Sequence, residues 1–461
     1  MELSKLIREA GIIGCGGAGF PTHIKYEGSQ IDTILINGVE CEPLLQTDRF
    51  LMRTYGRELI EASEMLLQET KARECVIVLK GSYKKEAAAL ETAIAVCGFP
   101  VRLHLLDSFF PAGDEQAIVY EVTGKVVPPA GIPLMAGCVV NNVATLYAIY
   151  EAMKGRAFTH KYLTVTGEVN SPAVARVPVG LPVSQCLALA GGVRIEDYMV
   201  VDGGPMMGRV MTREEADTAC VTKTMSGLLV LPRTNPVVQR SQISVKHMKN
   251  RAAAACIRCS LCTQMCPRAL LGHPLQPHRI MQKWSLAREE NVIFDDVDIR
   301  AAALCCSCGL CEIYACPMGL QPRAVNTYIK KELAGRGICY EGGQWAGKAL
   351  PERSFRKAPT ARVAARAGAL EYEKIQVGEC LREPEKNMCK MVYMNLHQGI
   401  GAASEPLIES GEWVEAGQLI ADCPPGKMGS ALHASISGIA SIGESCIMIE
   451  ARERQADGKN C

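Results

Sequence analysis

Long apolar runs are missing from this chain of 461 residues. None approaches the roughly 20 residues that a membrane-crossing helix needs, so any membrane contact has to be borrowed from a partner. Charge of one sign is missing too. Fifty Lys and Arg against 49 Asp and Glu leave a formal net charge of +1, and no global field points to nucleic acid or to an acidic membrane surface. Aromatics make up only 5%, so the cores are expected to be filled by small aliphatic side chains. The opening MELSKLIREA carries no secretory signal. The thiols are therefore expected to be reduced, in a cytoplasmic compartment. A chain this long exceeds one core, and three or four domains are expected.

What the chain does have is cysteine, 22 residues of it. Eight fall into two runs. The first reads Cys256-x2-Cys259-x2-Cys262-x3-Cys266-Pro267, and the second Cys305-x2-Cys308-x2-Cys311-x4-Cys316-Pro317. A tight CxxCxxC turn sets three thiolates around one corner of an iron–sulfur cube. The fourth Cys, set off and followed by Pro, reaches the other cube in two-cluster ferredoxins. Cys256, Cys259, Cys262 and Cys316 are thus expected to hold one [4Fe–4S] cluster, and Cys305, Cys308, Cys311 and Cys266 the other. Paired zinc sites are the rival, but they need neither the third Cys of each run nor the CP ending. The x4 spacing before Cys316 demands a one-residue bulge. Cys306 competes with Cys305 as a ligand, though only Cys305 keeps the x2 spacing. His273 and His278 follow the first run and are surplus to eight thiolates.

Ahead of the clusters the pattern alternates between strand and helix. Residues 1–13 begin with a short packing helix. Strands are expected at 33–36, 75–80 and 101–106, and helices at 57–69, 84–97 and from Asn141 to about residue 153. That order implies a parallel sheet covered by helices, whose ligands sit at the carboxyl ends of the strands. Three loops fall there: Gly14-Cys15-Gly16-Gly17-Ala18-Gly19-Phe20, the segment Asn37–Glu42, and Gly113-Asp114-Glu115. A glycine-rich loop lets backbone N–H groups close on a phosphate, and Lys25 follows within reach. Taken alone, such a loop is more often a plain turn, and Asp114 and Glu115 more often solvated tips.

Together the loops carry a resemblance. GCGGAGFPTHIK is similar to the flavin loop GRGGAGFPTGLK of the NADH-binding subunit of respiratory complex I. NGVECEP, GDEQA and VNNVATL resemble that family's NADE-x-EP, GEE-T-A and VNNVETL segments, in the same order. The resemblance implies FMN and NADH. It places Gly14, Gly16, Gly17 and Lys25 on the FMN phosphate and ring edge. Asn37, Glu40, Gly113, Asn141, Asn142 and Thr145 would line the flavin, and Glu42, Glu115 and Phe20 would face the dinucleotide. Cys15 and Val39 depart from the family, which has Arg and Asp there.

The expected architecture is multidomain α/β plus α+β. A complex-I-type flavin domain spans 1–157. A β-grasp domain resembling the SLBB type spans 158–232, and a two-cluster ferredoxin domain 233–340. A basic stretch, 341–388, is expected to be a solvated tether, with docking to an acidic partner as its other use. Residues 389–450 resemble the barrel-sandwich of lipoyl carriers, but His433–Gly438 lacks the carrier lysine. Two families share these parts: the RnfC component of Rnf-type ion-pumping complexes, with the barrel-sandwich first, and the cobalamin reductases of propanediol-utilisation microcompartments, with it last. The order here resembles the second. The resemblance implies electron flow from NADH through FMN and two clusters to cobalamin. It also implies partners in a cobalamin adenosyltransferase and microcompartment shell proteins, with the Rnf role as the alternative. Hydride brings electrons in pairs, clusters move them singly, and a flavin converts between the two. No general acid or base is asked of the protein.

Overall fold

The computed structural model describes residues 2–28, 30–288, 293–342, 345, 347–375, 377–385 and 388–452. Strands β1 (Thr33–Asn37), β2 (Glu74–Lys80) and β3 (Val101–Leu106) form a wholly parallel sheet with β5 (Cys138–Asn142); β4 (Phe109–Phe110) stands outside it. The sheet order is β3-β2-β1-β5. Ile34, Ile36, Ile77 and Leu79 point to one face, under helices Gly56–Thr70, Lys84–Cys97 and Val143–Met153. Leu35, Val76 and Val78 point to the other, against helix Glu115–Thr123. Both faces are covered, which is why these strands read as continuous apolar runs. Asn37 lies opposite Asn142 in the β1–β5 register, so the polar ends of both strands meet at one edge.

The next sheet runs β7 (Ala173–Pro178), β6 (His160–Gly167), β10 (Gly227–Pro232), β8 (Tyr198–Asp202), β9 (Arg209–Met211). Among these five strands β6 and β10 are parallel and the other neighbours antiparallel, with helix Val183–Leu189 packed on one face; this is the β-grasp arrangement. The cluster segment is helical. Val245–Ala255, Pro277–Leu286 and Pro322–Gly335 pack through Ile280, Trp284, Val325 and Ile329. Residues Cys311–Ala315 form a π-helical turn. A π turn holds one residue more than an α turn, and this is the bulge that the x4 spacing requires.

The expectation of a solvated tether at 341–388 is corrected. β11 (Ala358–Pro359) pairs with β4, and β12 (Gly378–Arg382) joins the β-grasp sheet beside β7. Arg353 is buried, bonded to Glu121 and 4.8 Å from the centre of the Tyr120 ring. Lys357 bonds Glu121 at 3.0 Å. These two basic residues, Arg353 and Lys357, are held by a carboxylate more than 230 positions away, which local composition cannot reveal.

The last unit has two small sheets. One runs β13 (Met391–Asn395), β19 (Cys446–Ala451), β18 (Gly438–Ile442), β15 (Trp413–Val414). The other runs β14 (Glu405–Pro406), β16 (Leu419–Asp422), β17 (Leu432–His433). They sandwich Val392, Met394, Ile420, Leu432 and Ile447. This unit seats against the first two domains. Fully buried Lys223 donates at 2.7 Å to both the Gly11 and Ala431 carbonyls, and Tyr393 N–H donates to Gly180.

Candidate functional site

The glycine loop folds back on itself. Gly14 N–H donates to the Phe20 carbonyl at 2.9 Å, and Gly17 takes φ +104° with nothing within 4 Å of where a Cβ would stand. Gly16 lies against Asn142, where a Cβ would come 3.4 Å from the amide side chain. Cys15, in place of the family's Arg, is buried. Its N–H donates to Thr145 Oγ1 at 2.9 Å, and its carbonyl accepts from Lys161 Nζ at 2.9 Å. The loop is thus fixed between the start of helix Val143–Met153 and the first strand of the β-grasp domain.

Around it the structure gathers the other predicted residues. Lys25 Nζ donates to the Val140 carbonyl at 2.6 Å and stands 3.6 Å from Glu115. Asn37 donates to Gly113 O at 3.0 Å while its own oxygen accepts from Val39 N–H. Asn141 donates to Tyr26, leaving its Oδ1 buried and without a partner, as is Thr22 Oγ1, at the start of the turn that follows the loop. An orphaned amide oxygen asks for a donor and an orphaned hydroxyl can serve as either partner, which fits a guest that carries N–H or O–H groups of its own as well as acceptors. Asn142 caps its helix through Ala144 N–H and donates to Asp48 at 2.7 Å.

Two predicted residues are turned elsewhere. Glu40 accepts from Asp48 N–H and Arg49 N–H, so its carboxylate closes the start of helix Thr47–Thr54. Its backbone sits at φ +38°, held there by Lys80 and Tyr83, which both donate to its carbonyl. Burial pushes its carboxyl up to about 8, and the neighbouring Asp48 carboxylate adds to this. Glu42 is aimed at the β-grasp domain, where it accepts from Met206 N–H at 2.9 Å. Its other oxygen has no partner, and burial pushes its carboxyl up to about 7. Val39, in place of the family's Asp, is wholly buried in an apolar cluster with Val76 and Val78. Lys80 and Lys161 escaped the sequence reading. Lys80 is the last residue of an apolar strand in a parallel sheet, and that position was the available signal.

The eight predicted thiols stand in two sets. Cys256, Cys259, Cys262 and Cys316 surround one space; Cys266, Cys305, Cys308 and Cys311 surround another, with Cys306 on its wall. Among the described residues, no three His, Cys, Asp or Glu groups are drawn together tightly enough for a single metal ion. A tetrahedral zinc would bring its sulfurs to roughly 4 Å of one another; a cube holds its thiolates farther apart. The two CxxCxxC loops share a backbone pattern. Arg258 and Ser260 adopt positive φ two and four positions after Cys256, and Ser307 and Gly309 do so two and four after Cys305. Cys305, not Cys306, is therefore the backbone counterpart of Cys256. Ser307 N–H also points at Cys305 Sγ, 3.4 Å away. His278 bonds Thr263 beside the first set, and His273 donates through Nε2 to the Val127 carbonyl of the flavin domain at 2.9 Å.

The sets differ in exposure. Cys266, Cys305, Cys308 and Cys311 are all buried, whereas Cys259 is exposed and Cys256, Cys262 and Cys316 are half-buried. The buried set adjoins the flavin domain. Arg268, two residues beyond Cys266, pairs with Asp114 at 2.9 Å, and both side chains are largely buried. Among the described residues no helix is long and apolar enough to cross a membrane.

Comparison with known proteins follows the same divisions. The profile of the Nuo51 FMN-binding domain matches residues 7–151, and that of the SLBB domain residues 162–210. A 4Fe-4S dicluster domain matches 255–321 and an RnfC barrel sandwich hybrid domain 383–455. The C component of the ion-translocating oxidoreductase complex of Erwinia tasmaniensis is 32% identical over 59% of this chain and 33% of its own length. Cobalamin reductase PduS of Citrobacter freundii is 37% identical over 94% of this chain and 93% of its own. The protein of the same name from Salmonella typhimurium is 37% identical over 451 residues, 97% of this chain and 96% of that one. With that identity sustained along all four domains, the chain belongs to the PduS cobalamin reductase family.

Proposed function

We propose that this chain oxidises NADH at FMN and delivers the electrons one at a time, through two [4Fe–4S] clusters, to cobalamin. FMN, when bound, supplies the two-to-one electron conversion, and the clusters supply single-electron steps at potentials low enough for corrinoid cobalt. The protein's own part is to hold and to order. Gly14, Gly16 and Gly17, with the Asn142 and Thr145 end of a helix, would receive the FMN phosphate; Lys25, Asn37, Asn141 and Glu115 would border its ring and the dinucleotide. Cys305, Cys308, Cys311 and Cys266 would hold the inner cluster, and Cys256, Cys259, Cys262 and Cys316 the outer one. The observation that carries this reading is the joining of a flavin-type domain, at the start of its helix Glu115–Thr123, to a buried thiol set by the Arg268–Asp114 pair, with a second, more exposed set besides.

On this reading the input lies at the flavin domain and the output beside exposed Cys259. A cobalamin adenosyltransferase, inside a bacterial microcompartment, is the proposed recipient setting. The test is anaerobic. NADH added to cluster-reconstituted protein is expected to bleach flavin and cluster absorbance, and then to convert hydroxocobalamin to its reduced forms. An unchanged corrinoid spectrum, with iron and flavin fully retained, would overturn the proposal.

A further inference from the structure

The basic strip does more than cover the molecule. Helix Thr360–Arg366 and the turn before it lie across the two cluster loops and leave a groove of about 760 Å³. Its floor is Leu261, between Cys259 and Cys262, together with Tyr314 and Ala315, next to Cys316. Leu261 and Ala315 directly adjoin ligands proposed for the outer cluster, and Tyr314 lies one residue further from Cys316. Its rim is Arg356, Lys357, Arg362 and Arg366, and no acidic side chain lines it. Lys357 is neutralised by Glu121, and Arg356 donates to an amide, Gln264 Oε1 at 3.1 Å. Among the described residues, no carboxylate pairs with Arg356, Arg362 or Arg366, and the last two are exposed. Phe355 stands at the edge with 87% of its surface in water, the most exposed large apolar side chain described.

Unpaired arginines around an exposed aromatic ring are the makings of a protein-docking centre. We propose that this groove seats the acidic face of a protein that carries the one-electron acceptor, and that electrons leave the outer cluster there. The inference rests on the electron route proposed above. Each NADH oxidised to NAD⁺ releases one proton and reduces two such carriers by one electron apiece. A free small anion is the competing occupant. The Phe355 ring and the length of the strip favour a protein surface, because a phosphate would need only two of the arginines.

The test uses the full chain with FMN and clusters, and flavodoxin, an acidic one-electron carrier, as the probe. Two readouts are taken: binding of labelled flavodoxin by fluorescence anisotropy, and NADH-driven flavodoxin reduction. Salt is raised from about 20 to about 300 mM, which shortens the screening length from roughly 20 to roughly 6 Å. Binding and rate are expected to fall at least about tenfold over that range. At low salt they should fall at least about tenfold in the Arg362→Glu/Arg366→Glu variant, and by less in Arg362→Gln/Arg366→Gln. NADH bleaching of the chain's own flavin and clusters should not change in either variant. Flavodoxin binding that ignores both salt and these variants overturns the inference. So does a loss confined to reduction of free hydroxocobalamin, which would assign the groove to a small anion. If NADH fails to bleach the unaltered chain, the electron route has failed, while anisotropy still judges the groove.

Discussion

Glu42 gives the sharpest test of the domain junction. Its carboxylate is buried where three domains meet, with one oxygen on Met206 N–H and the other unpartnered. Burial raises it from 4.5 to about 7, against the pull of the Met206 and Met207 N–H groups and of Arg323 and Lys80. The folded value lies above the unfolded one, so the protonated acid is the form the junction tolerates. The penalty is absent below about pH 4.5, grows as pH rises, and is complete above about pH 7. At about 1.4 kcal/mol per tenfold it reaches about 3 kcal/mol. Glu42→Gln keeps the shape and an oxygen for Met206 but cannot ionise. Its unfolding midpoint, read by anaerobic calorimetry of the loaded protein, is expected to exceed that of the unaltered chain by roughly 6–12 °C at about pH 8.5. At about pH 6 the advantage shrinks to about 2 kcal/mol. The KM for NADH should stay within about twofold, because the carboxylate is engaged by Met206 N–H. Midpoints that run parallel across that pH range would refute the reasoning, and a tenfold rise in KM would return Glu42 to the nicotinamide.

Other outcomes are as specific. Asp114→Ala strands the buried Arg268 guanidinium and removes the cap from Gln116 and Ala117 N–H. It is expected to cost about 4 kcal/mol in the flavin domain, and Arg268→Met less, because Asp114 keeps both N–H donors; urea unfolding midpoints check this. Cys259→Ala and Cys308→Ala should each retain about half of the roughly eight irons, and Cys306→Ala nearly all of them, by iron assay. Full iron in either of the first two would dissolve the ligand sets. Gly19→Ala puts a Cβ 2.7 Å from Thr224 and 2.9 Å from the Gly399 backbone, at φ +65°. A loss of about 1–3 kcal/mol is expected, with FMN released sooner on dialysis.

What was legible in the sequence was whatever depends on local spacing. Strands β1 to β3 showed as apolar runs bounded by turn residues, and both CxxCxxC loops by their Cys intervals. Even the irregular turn Cys311–Ala315 was foreshadowed by one surplus residue. What escaped was whatever is settled by distant partners. Helix Thr47–Thr54 has no capping residue of its own; Glu40 supplies the cap from outside the helix. Arg353 reads as a solvated charge until Glu121 is brought beneath it. Glu40 and Glu42 matched a flavin motif, but which way a carboxylate turns depends on neighbours that only the fold provides: the helix start for one, the Met206 loop for the other. The lysines Lys80 and Lys161 carry no motif, and their use depends on which carbonyl lies opposite.

The contact between Gly19 and Gly399 sets an order of manufacture. Residue 399 leaves the ribosome 380 positions after residue 19, roughly 20–80 s later at ordinary translation speeds. Through that interval one wall of the proposed nucleotide cradle does not exist. Riboflavin phosphate is thus expected to be retained only once the barrel has closed over the loop, so that a nascent chain stalled before that point stays colourless in its first domain.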